Sequence, residues 1–346
     1  MKLAEIVKYL DKKIPLAYQE EYDNSGLLVG DKEMEVKSVL TCLDCTEDII
    51  KEAIKTKSNL IISHHPILFK PIKKVINLNY TERVIYQAIK NNIAIYAMHT
   101  NLDNIQGGVS FKIAEKILLE KVNILRSKTN VLTKLTTYCP STHTDIIKDA
   151  LFANGAGKVS ELYDGCSFTS SGLGSFRPLV GANPFSGIIG KKELFEEDKI
   201  EVVFYSYLKN KILSALHDIH PYQEVSYTLY ELSNTTQLGS GVIGQLKKEM
   251  NVRTFFNYIK KTMNCNVIRH TSKDDKKQIK KVAICGGSGS FLLKDAILNK
   301  ADIFISSDFK YHDFFDADNK IIIADIGHYE TEQFVPEQIY EIVKKK

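Results

Sequence analysis

The sequence predicts an α/β protein in which one α/β repeat occurs twice, with a ferredoxin-like α+β domain inserted between the copies. Three observations predict this fold class. Short buried strands alternate with helices near both ends of the chain, those ends can be aligned with each other, and the middle differs from both in composition. Alternating strands and helices are typical of α/β layer folds. With 346 residues, the chain also exceeds the usual size of a single hydrophobic core, so we expect two domains.

The strands of each repeat are predicted from short runs rich in β-branched residues, which are typical of buried strands. In the first repeat these runs cover 36–42, 59–63 and 93–98, and helical patterns cover 48–57 and 81–90. In the second repeat the predicted strands are 281–285, 301–306 and 320–324, and the predicted helices are 291–299 and about 330–344. The two ends of the chain therefore share one order of elements.

Alignment of the chain with itself supports a duplication. Residues 37–65 align with residues 280–308 at one constant offset. A second register, at an offset of 229, places His99 on His328 and Asp103 on Glu332. Because an internal repeat decides the architecture, we predict two duplicated units whose polar loops lie at equivalent strand ends.

The middle of the chain differs in composition, with more Gly, Ser and aromatic residues and a Gly-rich stretch at 155–190 that we interpret as a loop. Strands are predicted at 132–139, 201–207 and 227–232, and helices at 144–152 and 209–217. The order βα, loop, βαβ indicates a small α+β insert of ferredoxin-like type. The predicted boundaries are 1–128 for the first half of the core, 129–234 for the insert and 235–346 for the second half.

Charge and hydropathy exclude some classes of protein. The 46 basic and 42 acidic residues leave a net charge of +4 that is spread along the chain, so nucleic-acid binding is neither indicated nor excluded. The first 17 residues carry six charges, unlike a signal peptide, and no run approaches the ~20 apolar residues of a membrane span. We expect a cytoplasmic protein.

The six cysteines are too few for a disulfide scaffold in a chain of this length, and we expect reduced thiols. Cys42 and Cys45 form a C-x-x-C pair, which in other settings is a redox or zinc motif. Because no second pair has zinc-ribbon spacing, we interpret them as two small residues near a strand end.

Polar residues follow the predicted strands at several points. His64 and His65 follow strand 59–63, Asp103 closes a loop after strand 93–98, and His328 and Glu332 follow strand 320–324. Ligands of open α/β sheets bind beyond the carboxyl ends of the strands. Imidazole and carboxylate without thiolate favour zinc, iron, manganese, nickel or cobalt. We therefore predict that these residues converge on a pair of divalent transition-metal ions.

Each of these residues also has a structural interpretation when it is taken alone. Adjacent histidines are often satisfied by local hydrogen bonds, and Asp103 suits an Asx turn before Gly107 and Gly108. His328 and Glu332, spaced i and i+4, would also suit an exposed helical turn. The glycine-rich segment 286–289 follows a predicted strand and could bind an anion through its backbone N–H groups. It lacks the Lys of a P-loop, so it is a weak nucleotide-binding motif.

Five blocks of the sequence contain most of these polar residues: SHHPILFKPIK (63–73), MHTNLDNIQGGVS (98–110), CGGSGSF (285–291), SSDFKYHDFFDA (306–317) and DIGHYETEQF (325–334). Taken together and in this order, they resemble the signature blocks of the dinuclear-metal-centre hexameric proteins, the NGG1-interacting-factor-like family. The resemblance covers nearly the whole chain. It implies two intertwined, internally duplicated α/β repeats with mixed sheets, assembled as a homohexamer.

The middle of the chain resembles an optional middle domain of the same family. The resemblance is carried by NGAGKVSELYDGCSF (154–168), GSFRPLVGANP (174–184) and HPYQEVSY (220–227). In relatives this domain is similar to trimeric nitrogen-regulator and copper-tolerance proteins. His220 and Glu224 are metal-ligand types, but the resemblance implies that the metals of the family lie elsewhere.

The resemblance also assigns residues to the site. It implies that the metal ligands are His64, His65, Asp103, His328 and Glu332, and every position carries the expected residue type. His99 is added by the self-alignment and does not belong to the ligand set of the family. Asp308, Lys310 and His312 match a block in which relatives more often read Gly-Asp-x-Lys-Tyr-His, and Ser307 takes the place of that glycine. The resemblance implies that these three residues are the catalytic ones.

Members of the family are commonly described as homologues of a type 2 GTP cyclohydrolase I, which implies a metal-dependent hydrolase. In such an enzyme a metal pair lowers the pKa of a water molecule, His312 acts as general acid or base, and Lys310 balances negative charge on a nucleotide-like substrate. With GTP, attack on the imidazole carbon of guanine would open the ring and release formate. The alternative is a non-catalytic, ring-shaped metal-binding scaffold or regulatory protein whose insert senses a small molecule or partner.

Overall fold

The chain leaves its first compact unit at Ser127 and returns to it at Gln237. In the computed structural model, which describes residues 1–160 and 162–345, one unit consists of Met1–Ser127 with Gln237–Lys346 and the other of Lys128–Thr236. No helix in the described part of the chain is long and apolar enough to cross a membrane.

The first half of the core unit contains a four-stranded mixed sheet. Its elements are α1 (Leu3–Lys13), β1 (Gly26–Val29), β2 (Val39–Cys42), α2 (Glu47–Thr56), β3 (Leu60–Ser63), α3 (Tyr80–Lys90), β4 (Ala94–Ala97), α4 (Thr100–Asp103), α5 (Val109–Lys116) and β5 (Leu119–Ser127). The strand order is β1-β4-β3-β2, with β2, β3 and β4 parallel and β1 antiparallel to β4. Side-chain caps help to start two of the helices, because Thr46 accepts from the N–H of Ile49 and Asn79 from that of Glu82.

The inserted unit contains a four-stranded antiparallel sheet and two helices. Its elements are β6 (Leu132–Pro140), α6 (Thr144–Ala153), β7 (Ser167–Phe176), β8 (Glu193–Tyr205), α7 (Lys209–Ile219) and β9 (Tyr227–Leu232). The element order βαββαβ and the strand order β7-β8-β6-β9 are those of a ferredoxin-like fold. Its core includes Leu135, Ile200 and Phe204 of the sheet with Ile212 and Leu216 of α7.

The interpretation of 155–190 as a loop was wrong for ten of its residues, which form β7. Nearly every side chain of β7 is exposed, so the strand carries no alternating burial pattern that the sequence could reveal. Backbone pairing with β8 holds it in the sheet.

The second half of the core unit contains most of a six-stranded mixed sheet. Its elements are β10 (Gly239–Asn251), α8 (Val252–Thr262), β11 (Arg269–His270), β12 (Gln278–Ser288), α9 (Leu293–Leu298), β13 (Ile303–Ser307), β14 (Ile322–Asp325), α10 (His328–Glu332) and α11 (Val335–Val343). The strand order is β11-β14-β13-β12-β10-β5, and β12, β13 and β14 run parallel. The mixed α/β fold class is therefore confirmed.

The strand registers agree with the predicted duplication. Val39 pairs with Leu60 in the first sheet, and Val282 pairs with Ile303 in the second, so the constant offset of the first alignment holds in both strands. The third parallel strand of each sheet is β4 in the first and β14 in the second. There Leu60 pairs with Ala94 and Ile303 pairs with Ile322, so Ala94 is equivalent to Ile322 at an offset of 228 rather than 229. The extra residue is accommodated beyond β14, where Gly327 has φ of 101° immediately before His328.

Both faces of the first sheet are covered, which explains why its strands are continuous apolar runs. Leu60, Ile62 and Tyr96 pack on one side with α1. Ile61 and Ile95 pack on the other side with α2 and α3. The carboxyl ends of β3 and β4 are consequently the places where this sheet can present polar groups.

Cys42 and Cys45 are buried, and burial raises the pKa of both thiols. All six cysteines are free of disulfide bonds. In the described residues, neither Cys42 nor Cys45 belongs to a group that could hold a metal ion. These facts agree with the interpretation of the pair as small buried residues.

Candidate metal centre

His64 and His65 leave the end of β3 and enter the site side by side. The N–H groups of both residues donate to the carbonyl of Leu43, at 3.2 and 3.0 Å, so the parallel ladder ends there. The Ser63 hydroxyl donates to the His65 carbonyl at 2.8 Å. The two rings lie 5.0 Å apart, and His64 is completely buried.

His328 and Glu332 enter the site from the first turn and the end of α10. Their spacing places the His328 Nε2 atom 3.0 Å from Glu332 Oε2. The helix is held against β12 because the N–H of Gly287 donates to the Thr331 hydroxyl at 2.9 Å. The second repeat thus delivers one imidazole and one buried carboxylate.

The five predicted ligands converge around the Glu332 carboxylate. Its Oε2 atom is 3.0 Å from Nε2 of both His65 and His328, and its Oε1 atom is 3.7 Å from His64 Nε2. Asp103, at the end of α4, adds Oδ1 at 3.8 Å from His64 Nε2. His64 and Glu332, which are 268 positions apart in sequence, therefore lie next to each other in the fold.

His99 joins the same cluster, as the self-alignment predicted. Its ring lies 5.3 Å from that of His64 and 5.4 Å from that of His65. Two overlapping groups have ligand atoms within 4.8 Å of one another: His64, His65 and His99 form the first, and His65, His328 and Glu332 form the second.

All four histidines are oriented in the same way, with Nδ1 held by an oxygen atom. The partners are the Met98 carbonyl for His64 (2.6 Å), Asp44 for His65 (2.8 Å), Asp23 for His99 (2.7 Å) and Asp308 for His328 (2.6 Å). This arrangement is typical of metal-binding histidines, because it places the proton on Nδ1 and leaves the Nε2 lone pair for the metal.

The charges of the cluster are strongly coupled. Burial lowers the pKa of His65, but Asp44 and Glu332 outweigh it and raise that pKa to about 10. The contact with Glu332 is the main cause that raises the pKa of His328 to about 9. Burial raises the pKa of Glu332, but His328, His64 and His65 outweigh it and hold that pKa well below its usual value. Burial raises the pKa of Asp103 to about 6.

Three buried atoms in the cluster lack a hydrogen-bond partner. Among the described residues, five buried side-chain N or O atoms have none, and three of them are His64 Nε2, Asp103 Oδ1 and Glu332 Oε2. Glu332 Oε2 lies near two imidazole nitrogens, but neither contact has hydrogen-bond geometry. Buried polar atoms are almost always satisfied, and divalent cations would satisfy all three. The donor set of imidazole and carboxylate fits the transition metals expected from the sequence.

The three residues expected to be catalytic occupy different surroundings. Asp308 binds His328 Nδ1 directly and has φ of 59°. Lys310 and His312 are exposed, and His312 begins a short 3₁₀ helix, His312–Ala317, where its ring contacts Tyr311 and Phe315. Within the described part of the chain, neither Lys310 nor His312 belongs to the two groups of potential ligands.

In the glycine-rich segment 286–289, two of the four N–H groups that could cradle an anion are already engaged. The segment ends β12, and the N–H groups of Gly286 and Gly287 donate to the hydroxyls of Ser110 and Thr331. Gly287 instead makes room for the ligand carboxylate, because a Cβ atom there would lie 2.4 Å from Glu332 Oε1.

His220 and Glu224 lie in the inserted unit, and His220 has a structural role there. His220 Nε2 is 3.0 Å from the Tyr138 carbonyl, and its Nδ1 accepts from the N–H of Tyr222 at 3.2 Å. Glu224 lines a cavity of about 940 Å³ in the same unit. In the described residues neither belongs to a group that could hold a metal ion.

Asp23 and Asp44 were missed by the sequence analysis, although each holds a histidine of the site. Asp23 also accepts from the N–H and the hydroxyl of Thr100. Asp44 immediately precedes Cys45 in the C-x-x-C segment. Neither lies in a motif that would have marked it as a partner of imidazole.

Comparison with known proteins places these features in a family. The model of the Duf34/NIF3 (NGG1p interacting factor 3) family matches residues 1–346. A "GTP cyclohydrolase 1 type 2 homolog" of Staphylococcus epidermidis is 34% identical over 346 residues, which covers 100% of this chain and 93% of the relative. A protein of the same description from Bacillus subtilis is 36% identical over 328 residues, covering 94% and 87%.

Solved structures show the same fold. The crystal structure of a Bacillus cereus protein related to NIF3 matches with a TM-score of 0.81 and 33% identity, and the match covers 100% of this chain and 94% of that chain. A structure of Staphylococcus aureus protein SA1388 matches with a TM-score of 0.78 and 31% identity, and this match also covers 100% of this chain and 94% of that chain.

Proposed function

Since this chain belongs to the Duf34/NIF3 family, we propose that it binds two divalent transition-metal ions and uses them to hydrolyse a nucleotide-like substrate. One observation carries the metal part of this proposal: four histidines, each fixed through Nδ1, meet in a pocket with three unpartnered buried atoms, and three of them direct Nε2 toward the Glu332 carboxylate. The substrate part is supported by the relatives, which are described as homologues of GTP cyclohydrolase 1 type 2.

Glu332 would bind metal through its carboxylate, whose two oxygens face different imidazoles. Oε1 faces His64, which also lies near Asp103, whereas Oε2 faces His65 and His328. His65 belongs to both potential ligand groups. We therefore assign the ligands as His64, His65, Asp103, His328 and Glu332, with His99 as a further donor on the His64 side.

When bound, a pair of such ions would lower the pKa of a water molecule so that hydroxide is available near neutral pH. The protein's own residues set the geometry. Asp44, Asp23 and the Met98 carbonyl hold imidazole protons away from the ions. Asp308 does the same for His328, so its proposed role is to position a ligand. His312 would transfer a proton to or from the substrate, and Lys310 would balance its negative charge.

The metal part is tested by elemental analysis of protein reconstituted with zinc, manganese or iron. Close to two ions per chain are expected, and His64→Ala and Glu332→Ala should each lose most of one or both. His217→Ala, which removes an exposed histidine of the inserted unit, is the matched control and should retain the full content. A wild-type protein that takes up none of the three metals would refute the proposal.

The catalytic part is tested with a panel of nucleotides and nucleosides, with formate and phosphate release measured together. Ring opening of GTP releases formate with the triphosphate intact, whereas phosphoester cleavage releases phosphate or pyrophosphate. Removing the ions should abolish turnover, and adding them back should restore it. His312→Ala should lower turnover roughly 10²–10⁴-fold with unchanged metal content. A fully loaded protein that converts no member of the panel would leave the non-catalytic scaffold as the better proposal.

We also propose a homohexamer, as the family resemblance implies, and a cytoplasmic location, as expected from the charge and hydropathy of the sequence. Multi-angle light scattering of the metal-loaded protein tests the assembly, since a monomeric mass would contradict it. Cell fractionation tests the location.

A further inference from the structure

A pocket of about 360 Å³ opens beside the metal centre and is not used by the ligands. Its lining consists of Tyr22, Asp23, Asn24 and the segment 68–72. Its volume falls within the usual range of small-molecule sites. Both parts of the lining are connected to the histidine cluster. Asp23 holds His99 through a hydrogen bond, and segment 68–72 follows His64 and His65 by a few residues in sequence.

The walls of this pocket are aromatic and exposed. The side chains of Tyr22 and Phe69 are 66% and 46% exposed, and their ring centroids lie 6.2 Å apart at an interplanar angle of 56°. Phe69 also stands edge-on to His99, with centroids 6.2 Å apart. The Asn24 side-chain amide donates to the Leu68 carbonyl at 2.5 Å and joins the two walls. The tilt lets a flat ligand ring stack on one aromatic face and meet the other at its edge.

The two charged side chains of the lining differ in how they are already engaged. Asp23 is fully engaged, because Oδ1 accepts from His99 and the N–H of Asn24, while Oδ2 accepts from Thr100 and Ser25. Lys70 is the other charged lining residue, and it is exposed at the rim. A ligand in this pocket therefore meets two aromatic rings and a lysine.

We propose that the Tyr22–Phe69 pocket is the ring-binding subsite of the metal centre, and that it takes a flat, uncharged aromatic or heteroaromatic ring attached to an anionic group that Lys70 binds. The assignment rests on the proposed function and deepens it by naming the part of the substrate that each residue contacts. A ring held against Phe69 lies next to His99 and hence next to the metal cluster, so bound substrate would present its reacting bond at the ligand side of the pocket.

The test measures binding to zinc-loaded, full-length protein by isothermal titration calorimetry with three probes. GMP carries both ring and phosphate, guanosine lacks the phosphate, and ribose 5-phosphate lacks the ring. GMP should bind most tightly. Tyr22→Ala and Phe69→Ala should each weaken GMP binding about fivefold to a hundredfold, which is the usual effect of losing one base-stacking aromatic.

Three variants separate ring stacking from other causes. Tyr22→Phe keeps the ring and should bind GMP as the wild type does. Lys70→Ala should weaken GMP and ribose 5-phosphate binding but leave guanosine binding unchanged. Tyr80→Ala removes a ring that is 60% exposed at the start of α3, outside the pocket, and should change nothing.

Zinc content and mass in solution are measured on the same samples, so that two failures can be told apart. Unchanged GMP affinity in both alanine variants, or no binding of any probe to a wild type that carries its zinc, would overturn the subsite while the metal centre stands. Variants that alter the mass in solution but not GMP affinity would overturn it too, because the rings would then belong to an interface between copies. A wild type without zinc refutes the proposed function, and the subsite with it.

Discussion

Gly287→Ala is the substitution that should damage the metal centre most selectively. Gly287 lies near the end of β12 with φ of 62°, and a Cβ atom there would lie 2.4 Å from Glu332 Oε1 and 3.5 Å from His328 Cε1. The new methyl group would therefore press on the carboxylate around which the other ligands are arranged. None of the proposed ligands is itself changed.

Two effects contribute to the expected magnitude. The left-handed backbone conformation costs an alanine about 1–2 kcal/mol of folding free energy relative to glycine. In addition, Cβ contacts below 3.0 Å essentially never occur, so the carboxylate must retreat by more than half an ångström. Binding sites tolerate displacements of only about 0.5 Å. We expect zinc affinity to fall about 10- to 100-fold, as it does when the partner of a ligand is lost, which corresponds to about 1.4–2.8 kcal/mol.

The chain offers a matched control for the backbone effect. Gly107 has φ of 77°, and a Cβ atom there would meet nothing within 4 Å. Gly107→Ala should therefore lower thermal stability by a similar amount but leave zinc affinity unchanged. Zinc titration with a competing chelator measures the affinity, and calorimetric melting measures the stability. Equal zinc affinity in Gly287→Ala and the wild type, or an equal loss of affinity in both variants, would refute the reasoning.

Three further predictions follow from the site and the fold. Asp44→Asn and Asp308→Asn should each weaken zinc binding about 10- to 100-fold, because each aspartate orients a histidine of the site. Asp48→Asn, on the exposed face of α2, is the control and should leave zinc binding unchanged. Unchanged affinity in the first two variants would contradict their orienting role. In the metal-free protein, raised pKa values of about 10 for His65 and about 9 for His328 add stability that is fully present below an unfolded-state pKa of about 6.5. That stability declines as the pH rises above about 6.5 and is gone once the pH passes the folded-state values of about 9 and about 10. The melting temperature of chelator-treated protein should therefore fall across this range, and a flat profile would count against the coupling. Replacing residues 129–234 by a short linker should leave a folded core that still binds zinc; precipitation, or loss of zinc, would show that the core depends on the insert.

The residues of the candidate metal centre could be found in the sequence because each stands beside an element with a local sequence signature. His64 and His65 follow a run of four completely or nearly completely buried strand residues, and His328 opens a helix. The duplication added His99, since its equivalence to His328 needed only the comparison of the chain with itself. Local patterns, the repeat and the family resemblance together predicted which of these side chains meet.

The partners of those ligands could not be predicted, because they depend on contacts that have no local signature. Asp44 lies 21 residues from His65, and Asp23 lies 76 residues from His99. Aspartates are common in turns for other reasons. Only the folded arrangement of strands β1 to β4 shows which of them reach an imidazole.

Tertiary contacts also explain where the interpretation of the sequence fell short. The glycine segment looked free to bind an anion because Ser110, which accepts from the N–H of Gly286, lies 176 residues away. Strand β7 was not predicted because its side chains are exposed on both faces, so pairing with β8 rather than burial determines its conformation.

The connection between the core and the insert has a consequence for the order of folding. In the core sheet Ser127 of β5 is paired with Gly239 of β10, and in the inserted sheet Leu132 of β6 is paired with Leu232 of β9. The core hairpin is thus interrupted by a domain whose own first and last strands are neighbours. If the insert is unfolded, pairing β5 with β10 requires closure of a loop on the order of a hundred residues. Once the insert has folded, the loop between β5 and β10 shortens to about a dozen residues. This lowers the entropic cost of closing it by about 2 kcal/mol. We therefore expect the insert to fold before β5 pairs with β10, because the folded insert shortens the loop that this pairing must close.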